Sequence, residues 1–208
     1  MKKLLISFVI LSGTFLSASA QKSNSVEFGI NIGSNESYIT QGSGNYDQTK
    51  SDNVYGLNVG FSAEYYFSDR WGLKGKLIYD QKGWGNGYLV NADGSETDGV
   101  NFQLNYITVP LMANWHFARN RNWYLNFGPY VGFLLSAKET NDNVDVKDAF
   151  NSTDVGFALG IGVKIPLSNK VKLFIEAEGQ GGGTNITTDN SGPTIQTGRS
   201  SLNIGLNF

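Results

Sequence analysis

The chain contains no cysteine, which excludes disulfides, thiolate metal sites and cysteine nucleophiles together. Its single histidine is His116, so a Ser-His-carboxylate site would have to be built on that residue alone. Only 16% of residues are charged, and 16 Lys+Arg against 18 Asp+Glu provide no basic footprint for nucleic acid. Beyond the first twenty positions no apolar run approaches the ~20 residues that a spanning helix needs. That opening stretch, MKKLLISFVILSGTFLSASAQ, sets Lys2 and Lys3 before an apolar run from Leu4 to about Leu16 and ends on Ala18-Ser19-Ala20. This is the pattern of a secretory signal peptide over residues 1–20, leaving residues 21–208 as one exported domain.

What the chain has in quantity is glycine, with 26 residues, and alternation. Apolar residues at every second position predict eight strands, at about 25–33, 55–67, 71–82, 100–117, 123–135, 153–165, 171–180 and 198–208. The second carries Leu57, Val59, Phe61, Ala63, Tyr65 and Phe67 on one face. Most of these stretches meet the ~9–11 residues with which a tilted strand crosses a bilayer. The intervening links alternate in length. Short ones (68–70, 118–122 and 166–170) follow the second, fourth and sixth strands, and long polar ones (34–54, 83–99, 136–152 and 181–197) follow the odd strands. An up-and-down array then has all its tight turns at one end, an asymmetry that transmembrane barrels share. Acidic residues outnumber Lys50, Lys138 and Lys147 in the long links, so the loop end is acidic.

Charge placement decides which face is inside. Glu27, Glu64, Lys74, Lys76, Asp80, Lys82, Asp154, Lys164, Lys172, Glu176, Glu178 and Arg199 all fall on the polar face of their strands, acids and bases in equal number. A Lys or Arg facing lipid at the midplane costs about 2–4 kcal/mol, so in a membrane barrel this face must be the lumen. Opposite charges in equal number suit a narrow interior, where an unpaired ion is expensive. They form an expected structural network rather than a water-filled path. Glycines at 29, 33, 60, 128, 132, 156, 160, 162 and 205 share that face and leave room for long side chains. Phe67, Trp71, Trp115, Phe117, Trp123 and Phe208 flank the short turns or the C-terminus and predict an interfacial aromatic girdle.

One strand reads out of phase. Phe102 and Leu104 lie in one register, whereas Ile107, Val109, Leu111, Ala113, Trp115 and Phe117 lie in the other. Either a β-bulge sits near Asn105-Tyr106, or residues 100–105 project above the membrane. Pro110 in the same strand removes one ladder donor.

The signal peptide, NYITVPLMANWHF, NFGPYVGFLL, DVGFALGIGVKI and SLNIGLNF together resemble the PorT-like outer-membrane barrel proteins of Bacteroidetes-type bacteria. The motif positions are Thr108-Val109-Pro110-Leu111, Gly128-Pro129-Tyr130 and Gly160-Ile161-Gly162. The resemblance implies an outer-membrane barrel, and the terminal Phe208 looks like the signal read by barrel-assembly machinery during insertion. Some members of that family serve secretion.

Little else suggests chemistry. His116 falls on the inward phase, where a structural role is expected. GQGGGTN at 179–185 has no following helix to make a phosphate cradle, and Gly181-Gly182-Gly183 reads as a loop entry. Asp142, Asp145 and Asp148 lack the glycine and terminal glutamate of a calcium loop.

The expected fold is therefore all-β: an eight-stranded antiparallel up-and-down transmembrane β-barrel with short periplasmic turns, four long extracellular loops and both termini periplasmic. No catalytic residue, cofactor or metal is expected. The expected partners are outer-membrane lipid, the assembly machinery and possible secretion or envelope proteins, with no nucleic acid. The alternatives are an accessory subunit of an outer-membrane secretion machine and, third, a membrane-embedded hydrolase.

Overall fold

The computed structural model describes residues 24–41, 51–90, 96–189 and 194–208; residues 1–20, expected to be a signal peptide, lie outside them. The strands are β1 (Ser25–Gln41), β2 (Val54–Tyr66), β3 (Trp71–Val90), β4 (Glu96–Phe117), β5 (Trp123–Glu139), the two-residue β6 (Val144–Asp145), β7 (Thr153–Pro166), β8 (Lys172–Gly182) and β9 (Ile195–Asn207). All pairings are antiparallel, and consecutive strands are neighbours apart from β6, a short addition on β5. β1 pairs with both β2 and β9, and β4 with β5, so the eight long strands form a ring.

The alternation has the consequence expected of a chain dissolved in lipid. Outward residues such as Ile32, Leu57, Val59, Leu77, Leu111, Leu159 and Ile204 are exposed, while Glu64, Lys74, Asp80, Lys164, Glu176 and Arg199 are buried. In water this arrangement would expose an apolar belt far larger than soluble proteins tolerate. In a bilayer it is the stable one.

The short turns repeat one device. In the β2–β3 turn Ser68 Oγ accepts the amides of Arg70 and Trp71, and in the β7–β8 turn Ser168 Oγ accepts those of Lys170 and Val171. A serine hydroxyl that caps its own turn supplies the partner that neither strand offers. The β4–β5 turn instead places Ala118 and Arg121 at positive φ, and Arg121 ties back to Asp69 at 2.9 Å.

At the other end the strands rise further than the sequence reading expects. β1 runs to Gln41 rather than 33 and β3 to Val90 rather than 82; β4 begins at Glu96 and β5 ends at Glu139. Above the lipid both faces meet polar or packed surroundings, so the lipid-facing alternation that marks a strand fades there.

The expected phase change in β4 does not occur. Phe102, Leu104, Tyr106, Thr108, Met112, Asn114 and His116 all point inward, in one unbroken alternation. A register shift does lie at Asn105/Tyr106, but the extra residue is Leu135 on β5, since Asn105 pairs with Ser136 and Tyr106 with Leu134. The inconsistency came from assuming a polar interior along the whole axis. Near the loop end the interior turns apolar: Trp84, Val100, Phe102, Leu104, Tyr106, Leu134, Ala137, Phe150 and Ile186 form one buried cluster. Phe150 comes from the segment between β6 and β7 and sits edge-on to Trp84 and Phe102, at centroid distances of 5.8 and 6.2 Å.

Pro110 and Pro129 are met by gaps in the ladders. Pro110 pairs with Tyr130 on β5, while on the β3 side the pairing passes from Gly75↔Leu111 to Ile78↔Thr108. Beside Pro129 the β4–β5 pairing likewise skips from Pro110↔Tyr130 to Ala113↔Phe127. Gly128 lets the two backbones close in, because a Cβ there would overlap the Leu111 carbonyl.

Candidate functional site

The twelve charged residues on the polar faces of the strands turn into the ring, and every one of them is in an ion pair. Near the short-turn end, Glu27 accepts from Lys164 and Lys172, and Lys164 Nζ also reaches Glu64 Oε2 at 2.8 Å. Glu64 Oε1 lies 2.6 Å from His116 Nε2 and 2.7 Å from Asn114 Nδ2. His116 is fully buried beside the rings of Tyr66 and Tyr124. In the middle, Glu176 takes Lys74 at 3.0 Å and Asn126 at 2.8 Å, and Lys76 bridges Glu176 and Glu178. Toward the loops, Arg199 spans Asp80, at 3.0 Å, and Glu178, while Lys82 meets Asp154 at 3.0 Å. Asp154 also accepts from Tyr130 at 3.1 Å and Thr197 at 2.7 Å.

These contacts arise from strand phase. Each member stands on the inward face of its strand, so a lysine on one wall meets a carboxylate on another. Aromatic rings complete the filling: Lys74 Nζ lies 4.8 Å from the Tyr124 centroid, and Lys82 Nζ 4.8 Å from that of Tyr130. Such cations over rings keep a second favourable contact once dehydrated. The inward glycines make room for those rings. Gly162 is the register partner of Tyr124, Gly156 of Tyr130 and Gly205 of Phe174, and a Cβ at any of them would overlap the partner's ring.

The aromatic residues expected as a girdle form a nearly continuous outward row. Trp71 and Trp115 stack at 6.2 Å, Trp115 and Phe117 lie at 5.2 Å, and Phe117 and Trp123 at 6.4 Å. Phe67 and Phe208 are exposed at the same end, and Phe208 exchanges both backbone hydrogen bonds with Phe28.

Sequence reasoning did not find the apolar cluster under the loops, nor that His116 belongs to the charge network. The signal for the second was present, since His116 and the tyrosines 66, 106, 124 and 130 all occupy the inward phase. Gly181 and Gly182, read as a loop entry, are the upper end of β8 and pair with Phe157 and Gly156. Among the described residues no group of three or more His, Cys, Asp or Glu is placed to hold a metal ion.

A protein-family model described as "Outer membrane protein beta-barrel domain" matches residues 19–207. The comparison with curated proteins finds no match. Among solved structures, the outer membrane protein OprG from Pseudomonas aeruginosa is similar at 12% identity, covering 91% of this chain and 98% of its own, with a TM-score of 0.52. The attachment invasion locus protein Ail of Yersinia pestis is similar at 15% identity over 90% and 100% of the two chains, with a TM-score of 0.43. Neisserial surface protein A is similar at 16% identity over 86% and 95%, with a TM-score of 0.48. At these identities the likeness to OprG speaks for the fold alone.

Proposed function

Since the chain belongs to the outer membrane protein beta-barrel domain family, we propose that it is an integral outer-membrane barrel that neither conducts nor catalyses, and that it acts through its loop end. The observation that carries this reading is the filled interior. The paired charges occupy the lumen from Glu27 to Asp154, and the apolar cluster around Phe102 and Phe150 lies toward the loops. Eight-stranded barrels are just wide enough for their own side chains, and here those side chains are paired. His116 is committed to Glu64 inside this network, which suits a structural role.

The short turns and both termini are placed on the periplasmic side in this reading, because short turns face that side in barrels of this kind. The resemblance to PorT-like barrels carries with it a second reading, an accessory subunit of a secretion machine. It is favoured by the exposed cations Arg70, Arg119 and Lys170 at the short-turn end, a surface suited to an acidic envelope protein.

Planar-bilayer recording on the purified full chain tests the first reading: a current indistinguishable from bare lipid is expected, and steady salt-dependent steps would overturn it. Mild crosslinking in native membranes followed by mass spectrometry separates the readings. Stoichiometric envelope proteins attached through the turns would favour the secretion role.

A further inference from the structure

One ladder in the wall stops well short of the strand ends. The β2–β3 ladder ends at Asn58↔Asp80. Above that pair β2 stays with β1, through Leu57, Gly56, Tyr55 and Val54, while β3 stays with β4 from Gln81 to Trp84. Among the described residues the two backbones pair again at the bridge Asp52↔Gly85, whose amide–carbonyl bonds measure 2.9 and 2.8 Å.

Side chains hold the split open. Leu57 N donates to Gln81 Oε1 at 3.0 Å instead of to a backbone carbonyl. Asn35 Nδ2 lies 3.0 Å from the Gln81 carbonyl and 3.4 Å from that of Leu57. A Cβ on Gly56 would come 2.8 Å from the Gln81 carbonyl. These contacts frame a cavity of about 330 Å³, within the range of small-molecule sites, ~300–1,000 Å³.

Its lining is rich in uncharged polar groups. Asn53, Gln81, Asn101, Gln103 and Thr140 contribute, with the Asp52 carboxylate beside them, and Tyr55 stands at the rim with 78% of its surface exposed. The one lysine in the lining, Lys82, has its ammonium committed to Asp154, so an anion would find no free cation there among the described residues. Asn53 Nδ2 donates to Glu36, Asn101 Nδ2 to Asn141 and Gln103 Nε2 to Asn105, and Gln81 Oε1 accepts from Leu57 N. With two hydrogens and two lone pairs per amide, each keeps a donor and an acceptor that match neighbouring hydroxyls, and an exposed tyrosine offers a ring face to C–H groups.

Height matters too. Gln81 stands ten residues above Trp71 on β3; at ~3.3 Å per residue and a tilt of about 40° that is roughly 25 Å along the axis, the depth of the apolar band. On β4 the outward residues change at the same level from Ile107 to Asn105, Gln103 and Asn101. The cavity thus opens at the outer edge of the lipid, where headgroups begin.

We infer that the cavity between β2 and β3 binds a neutral saccharide, through the amides of Asn53, Gln81, Asn101 and Gln103 and the ring of Tyr55. This rests on the outer-membrane reading above, and deepens it by naming a ligand class for the loop end. The sugar belongs either to a lipid headgroup of the outer leaflet or to a soluble glycan.

The test is amide NMR of the full chain in phospholipid nanodiscs. Maltotriose, mannotriose and chitotriose serve as soluble probes, and nanodiscs containing lipopolysaccharide form the lipid arm. Expected are shifts confined to residues of the cavity, weakened at least about tenfold in Asn53→Ala/Gln103→Ala by loss of two hydrogen bonds. Tyr55→Ala is expected to weaken the same shifts. Response to the trisaccharides assigns a soluble glycan, and response to lipopolysaccharide alone assigns a headgroup sugar. No cavity shift with any probe, or shifts unchanged in both variants, would overturn the inference. Heat-dependent gel mobility of the same samples reports separately whether the barrel is folded, so a failed barrel is not mistaken for a failed site.

Discussion

Lys164 of β7 stands between two carboxylates, Glu27 of β1 and Glu64 of β2, with Nζ 2.8 Å from Glu64 Oε2. Glu64 in turn holds His116 and Asn114, both on β4, so one carboxylate on β2 ties together two other strands, β4 and β7. Glu64→Ala leaves buried cationic and polar groups short of a partner and is expected to cost about 3–5 kcal/mol. Urea unfolding in lipid bilayers measures it; a loss below about 1 kcal/mol would mean that water enters and takes the place of the carboxylate.

The outward face should respond to charge differently within the apolar band and above it. Leu159, near the middle of β7 and 52% exposed, is expected to lose about 2–4 kcal/mol on replacement by arginine. Gln103→Arg, above the apolar band, is expected to stay within about 0.5 kcal/mol. Equal effects in the same bilayer unfolding assay would place the lipid boundary elsewhere.

Gly162→Ala is expected to destabilise by about 1–3 kcal/mol through overlap with the Tyr124 ring. The penalty should shrink in the Tyr124→Leu background, since residues in contact are not additive. A double-mutant cycle with no coupling would show that the ring moves aside freely.

Phe150→Ala removes the aromatic residue packed edge-on against the stacked Trp84 and Phe102, and a loss approaching the ~3–5 kcal/mol of a buried phenylalanine is expected. Conductance should remain at the level of bare lipid, because Arg199, Asp80, Lys82 and Asp154 still fill the lumen. Channel activity in this variant would identify the apolar cluster as the only seal.

Where a strand crosses lipid, the contrast between its faces is as large as side chains allow, which is why Leu57 to Phe67 and Val155 to Ile165 could be read from the sequence with their orientation. Glu176 and Lys74 were legible as inward for the same reason. Their pairing was not, because it depends on the stagger between walls far apart in sequence. Above the lipid the rule inverts: Phe102 and Leu104 turn inward to an apolar cluster while Asn101, Gln103 and Asn105 face out. A reading that equates apolar with outward meets a false break there. The cavity beside Gln81 was invisible because it depends on a ladder that stops, and alternation does not report where hydrogen bonds are missing.

The partners of the lumen are distant along the chain: Lys74 and Glu176 are 102 residues apart, Lys164 and Glu64 100, and Arg199 and Asp80 119. Such pairs cannot form by local folding, and contacts of long sequence separation make assembly slow. A half-built sheet would present bare lysines and carboxylates on one face and two unpaired strand edges, each a template for misassociation. Insertion into lipid before closure would strand those ions in hydrocarbon. The zipping of β1 to β9 therefore does more than complete the hydrogen bonding. It is the step at which the ions of the interior are all brought to their partners and out of reach of the lipid, so that the chain can leave whatever escorted it.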